Sequence, residues 1–93
     1  MNLSDAITDA GIAIRCMSKE DAEALLNAYE GIGLDVPSIG TWDDSQSRTC
    51  YRRCATQVHF CHLDFYMERG YKIVDFDSLI KNLEPVSLSD YLY

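Results

Sequence analysis

No stretch of the chain approaches the roughly 20 consecutive apolar residues of a membrane-spanning helix. The start, Met1-Asn2-Leu3-Ser4-Asp5, lacks the basic residues of a secretion signal. A cytoplasmic protein with no membrane contact is the expectation. Basic residues are scarce: eight Lys and Arg stand against fifteen Asp and Glu, a formal charge of -7. Such a balance disfavours long-range attraction to DNA, RNA or anionic lipid, so direct nucleic-acid binding is not expected. No internal repeat, low-complexity tract or Cys-x-x-Cys knuckle is present. Without a secretion signal the four cysteines, Cys16, Cys50, Cys54 and Cys61, read as free thiols rather than a disulfide framework.

What is present suffices for a fold. Ninety-three residues, 47% of them hydrophobic, read as a single domain over 1–93. A chain of this size buries roughly 60–65% of its unfolded surface and folds without staples. Residues 1–9 read as a short arm, with Leu3, Ala6 and Ile7 spaced for a single helical turn. Ile12, Ile14 and Cys16 alternate with Ala13 and Arg15, the period-two pattern of a strand with one buried face. Ser18 can cap the helix that follows, with Glu20 and Asp21 at its positive end. Ala22, Leu25, Leu26 and Tyr29 form its apolar stripe, and Gly31 stands where a left-handed cap is wanted.

Gly33, Pro37 and Gly40 break regular structure, so 32–47 reads as an exposed connection tethered by Ile39 and Trp42. Residues 48–54 and 58–64 suit an antiparallel hairpin around Ala55-Thr56-Gln57, a turn with no Asn-Gly or Asp-Gly to fix its register. A short helical turn ends at Gly70, and 71–76 reads as a last strand, with Val74 and Phe76 on one face and Ile73 on the other. Asp77 can cap a short helix over 78–83, closed by Pro85, and 86–93 reads as a loose tail. The predicted class is α+β, one amphipathic helix on a small, mostly antiparallel sheet, in the order β-α-loop-β-β-β-α.

The run Ile14-Arg15-Cys16-Met17-Ser18-Lys19-Glu20-Asp21-Ala22, the Gly-terminated helix and the closing Tyr71-Lys72-Ile73-Val74-Asp75-Phe76 resemble small phage and prophage accessory proteins. Those share a "Cys-x-Ser/Thr-Lys-Glu-x-Ala" helix start and a late "Tyr-Lys-Ile-Ile-x-Phe" strand. The resemblance spans roughly residues 12 to 80, and residues 43–64 depart from it. It implies a cytoplasmic inhibitor of a host defence complex, of the anti-CRISPR type, or a scavenger of signalling nucleotides. It carries over no catalytic residue, so a binding protein rather than an enzyme is expected, with no cofactor.

Three constellations could carry function. Asp35, Asp43, Asp44, Asp75 and Asp77 could engage the basic surface of a host protein, with Trp42, Tyr91 and Tyr93 as aromatic anchors. Tyr91 and Tyr93 would equally serve a homodimer. Arg48, Arg52 and Arg53 with Tyr51 form a basic cluster suited to nucleotide phosphates and a base, unless Asp43, Asp44 or Asp64 neutralise them. Cys50, Cys54, His59 and Cys61 would share one strand face if the hairpin loop is even, collecting the soft ligands of tetrahedral zinc, with Cys54 facing His59 and Arg52 on the same face, whereas a three-residue loop would separate the two pairs. Thiols packed as small hydrophobes are the alternative. Cys61 and His62 are sequence neighbours that point to opposite faces, and so do not make a nucleophile pair.

Overall fold

The computed structural model describes residues 2–81. The N-terminal residues are no arm. Asn2 caps a short helix α1 (Leu3–Thr8) by accepting from the Asp5 amide, and Ala6 and Ile7 are buried in the main core. Strand β1 (Ile12–Cys16) follows, then α2 (Lys19–Gly31), whose cap is Ser18, accepting from the Asp21 amide at 3.1 Å. The whole predicted stripe of Ala22, Leu25, Leu26 and Tyr29 is buried.

The C-terminus of α2 differs from expectation by two residues. Gly31 is still helical, and Gly33 takes the positive φ of 91°. The Gly33 amide donates to Glu30 O and the Leu34 amide to Tyr29 O, the paired bonds of a Schellman cap. Gly33 has that place because the next residue, buried Leu34, must turn back onto Tyr29 in the core.

The connection from 32 to 48 is more ordered than its breakers suggested. A 3-10 turn (Ile39–Thr41) leads into a one-turn helix α3 (Trp42–Ser45) and a second 3-10 turn (Gln46–Arg48). Ile39 and Trp42 pack on the core as their apolar character requires, and the Trp42 indole donates to Cys16 O at 3.0 Å. β2 (Thr49–Cys54) and β3 (Gln57–His62) form the hairpin, α4 (Leu63–Glu68) follows, and β4 (Lys72–Asp75) runs into α5 (Phe76–Lys81). Asp77 lies within α5 rather than capping it, because Phe76 is already helical and buried. The residues from 82 onward, including the expected helix end and tail, lie outside those described.

The fold is α+β, with a sheet of order β3-β2-β1-β4. The sheet is mixed. β2 pairs antiparallel with β1 and β3, but β4 pairs parallel with β1, joining Ile12 to Lys72 and Arg15 to Asp75. One face carries Ile12, Ile14, Cys16, Tyr51 and Val58 against α1, α2 and α5. The other carries Ala13, Cys50 and Ile73 against Tyr66 of α4 and Tyr71. Central strand β1 is therefore apolar on both faces, whereas its two-residue alternation suggested one.

Two glycine substitutions check the cap. Gly31→Ala adds a methyl into open space on a helical residue and raises stability by up to about 1 kcal/mol. Gly33→Ala forces a left-handed alanine and lowers it by about 1 kcal/mol, a fall in thermal midpoint of roughly 4–8 °C. Calorimetry of the two variants reads the opposite signs.

Candidate functional site

The described residues cover only part of the sheet face that lacks α1, α2 and α5. Beside α4 it leaves an open cleft of about 390 Å³ lined by Arg52, His59, Cys61, Phe65, Arg69 and Tyr71, with Val58, Phe60 and Tyr66 completing it. That volume lies in the range of small-molecule sites, about 300–1,000 Å³.

The hairpin positions half of these groups. Its turn holds two residues, Ala55 and Thr56, so Cys54 opposes Gln57, Arg52 opposes His59 and Cys50 opposes Cys61. Alternation then sends Cys50, Arg52, Cys54, His59 and Cys61 to one face. The other half comes from α4 and the turn after it. Leu63 and Tyr66 anchor this segment on Ala13 and Cys50, while Phe65, 38% exposed, faces the cleft.

Stacked groups run along one wall. The Arg69 guanidinium sits 4.3 Å over the Phe65 ring, Phe65 packs edge-on against Tyr66, Tyr66 against Tyr71, and Arg52 lies 4.7 Å over Tyr71. Each arginine is thus held by an aromatic face, which restricts its rotamers before a ligand arrives. Arg52 is fixed further by donating to Ala10 O and Arg53 O. Burial pushes the Tyr66 phenol well above its ordinary range, opposed by Arg52, so it stays neutral.

The predicted basic cluster does not converge here. Arg48 turns away to Asp64, 2.9 Å from Oδ1, and to His62, 3.1 Å from Nε2. Arg53, on the opposite face from Arg52, donates to Ala55 O. Tyr51 is buried in the main core with its hydroxyl on Thr41 Oγ1, because its register places it opposite Ile14. Only Arg52 of the four reaches the cleft, and Arg69, distant in sequence, supplies the second charge.

The predicted zinc set shares a face because Gln57 belongs to β3, which leaves a turn of two residues rather than the expected three, and within that face Arg52 rather than Cys54 stands opposite His59. Among the described residues, no group of three or more His, Cys, Asp or Glu side chains is placed to hold a metal ion. Cys50 is fully buried, and burial pushes its thiol up to about 12. It is neutral and packs as a small hydrophobe.

The predicted acidic surface is dispersed. Asp35 lies beside β3 at one sheet edge, where its backbone bonds to Thr56 and Val58, while Asp75 lies in β4 at the other edge. Asp75 accepts both arms of Arg15, at 2.8 and 3.1 Å, which raises the pKa of Arg15. Asp43 accepts from Lys19 at 3.0 Å, and Asp44 is exposed beside it in α3. The Trp42 indole is satisfied internally. Tyr91 and Tyr93 lie outside the described residues.

The Asp77 carboxyl lies beside Asp21. Burial and the neighbouring Asp77 carboxyl raise the Asp21 pKa. A raised folded-state pKa stabilises the fold below the unfolded value, about 3.9, and that stability is lost as pH rises through the folded pKa. At pH 7 the pair therefore repels. Asp77→Asn should raise the thermal midpoint at pH 7 by about 2–4 °C, from roughly 0.5 kcal/mol for a solvent-screened pair. Repeating the melts down to pH 3 should show the advantage disappear.

Comparison of the chain with protein-family models, curated proteins and solved structures finds no match.

Proposed function

We propose that the chain is a binding module whose cleft takes a small planar anion of the nucleotide class. The observation that carries this reading is the pairing of Arg52 and Arg69 with aromatic walls around an open volume, on a chain of net charge -7. A protein this acidic repels anions at long range, so a cleft carrying two guanidinium groups makes a local exception. Guanidinium forks match phosphate oxygens in pairs, and aromatic or guanidinium planes suit the face of a base. His59 adds a ring nitrogen on the same wall. Sequestration of a nucleotide agrees with the scavenger role that the phage-protein resemblance implies.

A second reading keeps the chain as an occluding inhibitor of a basic host surface. What favours it is the acidic excess on exposed positions Asp5, Asp9, Glu20, Glu23 and Glu30 of the α1 and α2 regions, with Asp44 on α3. Charge reversal at Asp44 and Glu23 should then weaken a salt-sensitive complex with that partner.

Titration calorimetry with linear and cyclic mononucleotides tests the first reading. Binding is expected, and Arg69→Ala should weaken it about ten- to a hundred-fold, the loss of one charge-assisted bond of about 1.5–3 kcal/mol. Arg48→Ala, which removes a guanidinium already committed to Asp64, should leave affinity unchanged. No heat with any nucleotide, or equal losses in both variants, removes this reading.

A further inference from the structure

Cys50 and Cys61 oppose each other directly on β2 and β3, on the cleft side of the sheet, and both are free thiols. Their environments differ. Cys61 is half-buried in the cleft wall beside His59 and Arg52, reachable by a small solute, whereas Cys50 is fully buried beneath it. We propose that they form a redox-active dithiol, in which the Cys61 sulfur is oxidised by hydrogen peroxide and Cys50 resolves the product into a cross-strand disulfide.

The register sets the geometry. The Val58 amide points away from β2 to Asp35 O at 2.8 Å, so amides of odd-numbered residues in β3 point inward and Cys50 and Cys61 form a hydrogen-bonded pair. Opposed Cα atoms in such a pair lie about 5.5 Å apart, inside the 4.4–6.8 Å span of disulfides. Their Cβ atoms start about 4.5–5.5 Å apart, against the roughly 3.5–4.5 Å a disulfide needs, so the strands must close by about 1 Å. β3 can make that movement because it is an edge strand, held on its outer side by the bridge at Asp35. A bond made under such strain is readily reduced, as suits a reversible device.

The chemistry balances in two steps. The Cys61 sulfur attacks one peroxide oxygen, the S–O bond forms, the O–O bond breaks, and one water leaves, giving a sulfenic acid. The Cys50 sulfur then attacks the Cys61 sulfur; the S–S bond forms, the S–O bond breaks, and the departing hydroxide takes the Cys50 proton as a second water. Two thiols are oxidised by two electrons and one peroxide is reduced. Cys50 is held as a neutral thiol by its burial, so the second step is the slower one and the sulfenic acid can be trapped. Neither step needs a ligand in the cleft. Cys54 is four residues from Cys50 along the strand, about 13 Å, and opposes Gln57, while Cys16 is buried on the other face.

The experiment treats the reduced, full chain with hydrogen peroxide, blocks remaining thiols by alkylation and maps them by peptide mass spectrometry. A Cys50–Cys61 crosslink is expected, reversed by dithiothreitol, with Cys16 and Cys54 still alkylated. Cys61→Ser should abolish the crosslink, and Cys50→Ser should leave a dimedone-trapped sulfenic acid at Cys61. If Cys50→Ser fails to fold, the wild type and Cys61→Ser decide the question, since Cys61 is only half-buried. Cys50 and Cys61 both remaining alkylated while Cys54 is consumed would overturn the assignment, as would a crosslink between any other pair.

Discussion

The parallel pairing of β1 with β4 is the constraint on which the rest of the molecule depends. It joins residues 12–15 to residues 72–75, so the chain between them must leave β1, build the hairpin on its other edge and return. That return encloses β1 on both edges and both faces, which is why Ile12, Ala13, Ile14 and Cys16 are all buried. The bidentate Arg15–Asp75 pair lies at the end of the same register, where it neutralises two charges that would otherwise stand side by side on the half-covered face. Among the described residues no buried side-chain nitrogen or oxygen lacks a partner, so this closure leaves no polar debt in the core.

The two faces then diverge in character. α1, α2 and α5 cover one face, and among the described residues none of their helices is long and apolar enough to cross a membrane. Among the described residues the other face has only α4, six residues long, and the turn to β4 to cover it. The uncovered remainder is the cleft, and its cations come from positions whose backbone is already fixed, Arg52 by the hairpin and Arg69 by the end of α4. The acidic average of the chain is therefore a property of the outer helices and loops. The cleft is a local reversal of sign.

Parts of the site were legible before the fold. Alternation put Cys50 and Cys54 on one face with Arg52, and His59 with Cys61 on one face of the second strand; whether the two sets share a side hung on the loop's parity, and Gln57 joining β3 makes the turn even. The pairing within that face was not legible, because the turn is led by Ala55 at φ 55°, a residue that carries no turn signal for a position that glycine would ordinarily mark. Arg48 and Arg53 looked equivalent to Arg52 in sequence, yet a half-turn of strand periodicity and the proximity of Asp64 removed both. Arg69 and Phe65 were missed as site residues. A guanidinium four residues after an aromatic on a short helix is a signal that could have found them, since that spacing brings the two together.

By itself the sequence determined the elements whose cause is local: the Ser18 cap, the buried stripe of α2, the strand at β1 and the split of Ile73 from Val74 within β4. These follow from hydrogen bonds and periodicities within a few residues. Only the tertiary structure decided that β4 lies parallel to β1, that Gly33 rather than Gly31 turns the chain, that Tyr51 is core and that Arg52 and Arg69 line the same cleft. Each of those depends on which surfaces meet after the chain has closed on itself, a long-range packing choice that no local pattern encodes.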